Sequence, residues 1–181
     1  MFDYEKFENQ LYTAIETYVQ NHQNQKEDIY IMSIYYWPDF TTFIGVAANT
    51  YSNLNEQADP EDVEDYVYYK YCEEEWEWDL TGDFDVLSKD LQAYYEELEA
   101  EGAKDSNLRD EKEEMHREKI IAIGRRVLKK IQQTDAYKAY PKLYLNFYIR
   151  EYFTRDESME IFGELNGEES LEEYGLFWGD E

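Results

Sequence analysis

Apolar residues recur at helical spacing from residue 3 to 21, where Phe7, Leu11, Ile15, Tyr18 and Val19 form one stripe, so a first helix is expected there. Ile29 to Trp37 is apolar or aromatic at almost every position, the pattern of a strand covered on both faces. Pro38-Asp39 predicts a turn and Phe40 to Ala48 a second strand, together a hairpin at the centre of a sheet. Thr50 or Ser52 is placed to cap a short helix through Leu54. Residues 56–65 are polar and acidic, with Pro60 opening a helical turn, and Tyr66 to Cys72, nearly all aromatic or β-branched, predicts a third strand.

Gly82-Asp83 predicts a turn with Asp83 as N-cap. A helix follows with Phe84, Leu87, Leu91, Tyr94, Tyr95 and Leu98 on one face. A polar link leads to a long helix from Leu108 to Gln133 with Leu108, Met115, Ile120, Ile123, Val127, Leu128 and Ile131 as its apolar face. The basic residues Arg125, Arg126, Lys129 and Lys130 fall in its C-terminal half, where the helix dipole favours them. Leu143 to Ile149 alternates apolar and polar like a half-buried strand. Asp156 is expected to cap a helix through Leu165, and Ser170 a last one through Tyr174. The expected fold is α+β, a single domain over residues 1–181, with a mostly antiparallel sheet of about four strands and flanking helices.

Charge changes this picture most. The 17 Lys and Arg stand against 43 Asp and Glu, a formal net charge of −26. Aromatic residues make up 18%, too many for a disordered acidic chain, so the charge belongs to a folded body. Such a surface repels nucleic acid and anionic membranes and attracts basic proteins. It also serves solubility alone. The single cysteine, Cys72, forms no internal disulfide, the start of the chain lacks a signal-peptide pattern, and no apolar run is long enough to span a membrane. A cytoplasmic protein is expected.

No enzyme chemistry stands out. Cys72 lies beside three glutamates, which raise a thiol pKa, so it reads as a small buried hydrophobe. His22 and His116 read as surface residues, His116 on a solvated helix face. Phosphate-loop motifs are absent, and two His and one Cys do not make a typical zinc site. Asp79–Asp85 holds carboxylates around Gly82 without the calcium-loop spacing and reads as a capping turn. No catalytic residue, metal ligand or cofactor is expected.

What remains is a surface. Residues 56–79 carry eleven acids and one base, Lys70. Within them Glu73, Glu74, Glu75, Trp76, Glu77, Trp78 and Asp79 are the candidate partner-binding residues. In a strand, Trp76 and Trp78 would share one face and Glu75, Glu77 and Asp79 the other. That is either a strand with Trp in the core and Glu in water, or an acidic patch with an aromatic anchor for a cationic partner.

The order of elements resembles a bacterial domain-of-unknown-function family, DUF4303. The resemblance lies in the strand Ile29–Tyr35, the hairpin ending Ala47-Ala48-Asn49-Thr50 and the Tyr-rich strand leading to Glu74-Glu75-Trp76-Glu77-Trp78. Phe84 opening an amphipathic helix and the late strand Leu143–Ile149 also match. The resemblance implies no catalytic residues. Small acidic domains of this kind are often encoded beside secreted toxins, so an immunity protein that binds a basic toxin domain is expected. The alternatives are a cytosolic domain with a small-ligand pocket, or a nucleic-acid mimic that inhibits basic proteins.

Overall fold

The computed structural model describes residues 2–38, 42–80, 82–103 and 105–179, and of Trp78 the backbone alone. Helix α1 (Tyr4–Asn21) is capped by the Asp3 carboxylate, which accepts from the Lys6 amide. Strand β1 (Ile29–Trp37) pairs antiparallel with β2 (Phe43–Thr50). The expected Pro38-Asp39 turn and the Phe40 start of the second strand fall on residues 39–41, outside the described residues.

Thr50 caps α2 (Tyr51–Gln57), its hydroxyl accepting from the Asn53 amide. The expected strand Tyr66–Cys72 is instead helix α3 (Val63–Tyr71), a correction that Asp62 explains. Its carboxylate accepts from the Glu64 and Asp65 amides, two first-turn donors that would otherwise lack partners. Val67, Lys70 and Tyr71, at helical spacing, are buried, while Tyr68 is exposed. The strand preference of Tyr and Val yields here to capping and packing.

Strand β3 (Glu77–Asp79) pairs antiparallel with β2, and α4 (Asp83–Gly102) follows. Its N-cap position is Gly82, not the expected Asp83, which is the first helical residue. Helix α5 (Ser106–Ile131) is capped by Asp105, and α6 (Asp135–Lys138) is a single turn. Strand β4 (Tyr144–Ile149) precedes α7 (Arg155–Asn166) and α8 (Leu171–Phe177). Thr154, not Asp156, caps α7, in a reciprocal box with Glu157. Ser170 stands at the N-cap of α8, but its hydroxyl bonds back to the Gly167 carbonyl and caps nothing.

The fold is α+β. Three strands, β2, β1 and β4, form the body of the sheet, and the three-residue β3 extends its edge in the order β3-β2-β1-β4. The expectation of about four mostly antiparallel strands is corrected in two ways. Tyr66–Cys72 supplies no strand, and β4 runs parallel to β1. Parallel pairing needs a long crossover, and α2 to α6 lie in the connection between β2 and β4.

Both faces of the sheet are covered over most of its area, as the nearly continuous apolar run of β1 requires. On one face Met32, Ile34, Tyr36, Ile44, Val46, Leu145, Phe147 and Ile149 join the buried stripes of α1, α4 and α5. On the other, Tyr30, Ile31 and Ala47 join Leu54, Val67, Tyr71, Trp76, Phe162 and Tyr174 in a second core. Gly124 makes the first core possible, since a Cβ there would run into the Phe147 ring.

The stripe of α5 differs from the expected one. His116 is fully buried, whereas Met115 is 52% exposed and Leu108 is exposed too. Stepping back from Val127 and Ile123 to Ile120 and then by four more residues reaches His116, not Met115. The imidazole sits among the rings of Phe2, Tyr4, Tyr94 and Tyr95, with the Tyr4 hydroxyl 2.9 Å from Nδ1. Burial, with Lys119 and Arg117 nearby, lowers its pKa to about 3.

Candidate functional site

The seven acidic and aromatic residues expected to form one patch do not share one surface. After α3, a single 3-10 turn (Glu73–Glu75) redirects the chain toward β3. Glu74, Glu75 and Glu77 are exposed and Asp79 is half-buried, but Glu73 is 2% exposed and Trp76 5%. Those two placements correct the idea of a continuous patch. Trp76 is a core residue, packed with Ala47 and Tyr71 in the second core, and its indole donates to the Tyr69 carbonyl at 3.3 Å. Trp78 pairs with Ala47 through its backbone, and its side chain lies outside the described residues. Glu77 and Asp79 pair with Ala48 and Val46, residues of the first core, and lie near Tyr18 of α1.

Asn49 helps to fix this turn. Its amide donates to the Tyr69 carbonyl at 3.0 Å, and its side-chain oxygen accepts from the Thr50 amide and from Asn53. Tyr30 donates to the Lys70 carbonyl. Together these satisfy C-terminal carbonyls of α3 that the helix itself leaves open. Lys70 locks α3 to α8, with Nζ 2.7 Å from both Glu173 oxygens and lying 5.4–5.9 Å from the rings of Tyr30, Tyr66 and Tyr71. Burial pushes the Glu173 carboxyl up, but the Lys70 and Tyr71 hydrogen bonds outweigh it and hold it below the usual range. The one base of the acidic stretch is therefore internal. Gly45 lets β3 approach β2, since a Cβ there would lie 2.6 Å from the Asp79 carbonyl oxygen.

Glu73 reaches under the sheet, where Asn146 Nδ2 donates to its Oε1 at 2.6 Å. Burial pushes its carboxyl up to about 8, with Glu74 adding to the rise and the Asn146 hydrogen bond opposing it. Burial also raises the Tyr35 and Tyr148 hydroxyls, and Glu73 and Glu74 contribute to both shifts. Cys72, half-buried at the C-cap of α3, has its thiol pushed up chiefly by burial. It is no strand residue, and its environment does not favour the reactive thiolate.

Where the second core ends, the same sheet face continues as a row of aromatic rings. Tyr35 and Trp37, two apart on β1, lie on one side of the pleat. Phe43 is the cross-strand partner of Trp37, and Tyr148 of Tyr35. The Tyr35, Trp37 and Phe43 rings are nearly parallel, with interplanar angles of 8–14° and centroids 5.8–6.3 Å apart. Tyr148 tilts against Tyr35 at 5.2 Å. Tyr35 is buried, and Trp37, Phe43 and Tyr148 are half-buried. At the rim the Arg150 guanidinium lies 5.1 Å from the Trp37 ring centroid and pairs with Glu74 at 2.9 Å. This row, not Trp76, is the aromatic group beside the exposed Glu74. Period-two spacing in Tyr35 and Trp37, and Tyr148 on the polar side of the late strand, carried the signal.

The basic run of α5 lines a groove of about 490 Å³ between α5 and α7, floored by Ile121, Ala122, Phe153 and Ile161. Its cations are already engaged: Arg125 with Glu160 and Glu164, Arg126 with Glu8, and Lys129 with Glu164. Among the described residues no group of three or more His, Cys, Asp or Glu is arranged to hold a metal ion. No helix among them is long and apolar enough to cross a membrane.

A mixed sheet with helices on both faces and a partly exposed aromatic row defines the class: an α+β domain with a candidate binding face. The chain belongs to the family described as Domain of unknown function (DUF4303), whose model matches residues 9–167. That range holds the whole sheet and the aromatic row, and α8 lies beyond it. No curated protein and no solved structure matches the chain.

Proposed function

We propose that the chain is a non-enzymatic binding protein for a basic protein partner, an immunity protein that neutralises a cognate bacterial toxin inside the cell that makes it. The observation that carries this reading is the row of Tyr35, Trp37, Phe43 and Tyr148 rimmed by Glu74 on a body of net charge −26. Half-buried aromatic rings supply contact area at low entropic cost, the chemistry of an interface anchor. The surrounding charge steers a cationic partner and speeds its encounter. Glu74 and Glu75 remain candidate contacts, while Glu73 and Trp76 act from beneath by fixing the turn. Glu77 and Asp79 lie beside α1 and belong to the outer rim.

The reading is tested by capture from the native cell at physiological salt, with wild type and Trp37→Ala side by side. One basic protein held by wild type and lost with the variant, and toxic when expressed alone, supports it. Loss of all bound proteins as salt rises to the physiological level would reduce the charge to a solubility device.

A further inference from the structure

Arg150 already occupies a guanidinium position beside the aromatic row. Its planar group lies against the Trp37 ring, with its carbon 5.1 Å from the centroid, while Nε meets the Glu74 carboxylate at 2.9 Å. A ring face on one side and a carboxylate at the edge is the arrangement that recognises arginine, since a guanidinium stacks and bonds in one plane where an ammonium does not.

Arg150 is not fixed there by burial. Its side chain is 43% exposed, and it belongs to the turn after β4 in which Glu151 takes a positive φ of 54°. Glu151 lies 3.7 Å from the same Nε, a second, looser carboxylate that can hold the side chain once Glu74 is given up. Exposed ion pairs and surface cation–π contacts are weak, so an incoming group of the same kind can replace it.

We infer that the Trp37–Glu74 site is an arginine-recognition site held closed by Arg150, and that the partner inserts an arginine side chain that displaces it. This rests on the proposed basic partner and adds the chemistry of the contact and a built-in competitor. A self-occupied site lowers apparent affinity by the fraction of time it is filled. Removing the competitor therefore tightens binding of an external arginine, although it also removes one charge from an acidic surface.

The test needs no cognate partner. An acetylated and amidated peptide of alternating Arg and Gly, and its Lys counterpart, are titrated into the protein, with binding read from the Trp37 indole N–H resonance. Arg150→Ala is expected to bind the Arg peptide about three- to tenfold more tightly than wild type. The Lys peptide gains less, and Glu74→Gln weakens both. Lys89→Ala removes the same charge from an exposed position on α4, where Lys89 pairs with Asp85, and leaves affinity for the Arg peptide unchanged. Equal affinities in wild type and Arg150→Ala, an equal gain from Lys89→Ala, or equal gains for both peptides would overturn the inference. Those failures are separable from failure of the function. A toxin captured through Trp37 with no Arg150 effect rejects the displacement alone. Arg150-dependent peptide binding with no captured partner rejects the immunity reading and leaves the arginine site.

Discussion

Replacing Glu73 by Gln should stabilise the protein, and by an amount set by pH. In the unfolded chain this carboxyl titrates near 4.5, whereas burial beneath the sheet moves it to about 8. Between those values the unfolded state releases the proton and the folded state keeps it. Stability therefore falls as pH rises through that window and levels off above the folded value. At 1.36 kcal/mol per unit, the cost is about 1 kcal/mol at pH 5, about 3 at pH 7 and about 5 above pH 9. Gln is close in shape, carries no charge, and retains an oxygen to accept from Asn146 Nδ2, which now donates at 2.6 Å. The difference in unfolding free energy between Glu73→Gln and wild type should thus grow by about 2–3 kcal/mol between pH 5 and 7. Urea unfolding followed by circular dichroism at pH 5, 6, 7, 8 and 9 measures it. Comparing the two proteins at each pH cancels the general repulsion of the acidic surface. A difference that does not change with pH, or a variant less stable than wild type at pH 8, would show that Glu73 is not held protonated by burial.

Three further outcomes are expected. Trp76→Ala removes a core indole and should cost about 3–5 kcal/mol, whereas half-buried Trp37→Ala should cost less than about 2 kcal/mol; equal losses in thermal or urea unfolding would contradict their placement. His116, lowered to about 3, should stay neutral in the folded protein, so its imidazole resonances should not titrate near pH 6.5. The unfolded state gains that proton below its ordinary pKa, so His116 lowers stability as pH falls from about 6.5 toward 3. Gly45→Ala would press a methyl group against the Asp79 carbonyl and Leu80, and should cost about 1–3 kcal/mol with loss of protection in the β3 amides by hydrogen exchange.

Periodicity made most of the fold legible. The stripe of α1, the doubly covered β1 and the alternation in β4 are each set by burial, and burial leaves its mark on spacing. The failures have a common physical source. Tyr and Val in 66–71 favour a strand by side-chain preference, but the Asp62 cap and the buried face of Val67, Lys70 and Tyr71 decide for a helix. β4 looks the same from sequence whether it pairs parallel or antiparallel, since alternation fixes its faces and not its direction. The acidic segment was visible as composition, yet its split into buried Glu73 and Trp76 and exposed Glu74, Glu75 and Glu77 depends on one 3-10 turn. The aromatic row joins β1, β2 and β4, and only the sheet register brings those rings together.

In the proposed function the Glu74 rim and its aromatic row receive a basic partner, and the association rate of the captured partner as a function of salt reads that role. Wild type should associate fast at low salt and slow steeply as salt rises. Glu74→Lys should cut the rate about tenfold or more and flatten that dependence, while Glu77→Lys, on the α1 side, should change it less. An association rate that Glu74→Lys leaves unchanged, or that Glu77→Lys lowers more, would place the partner elsewhere on the surface.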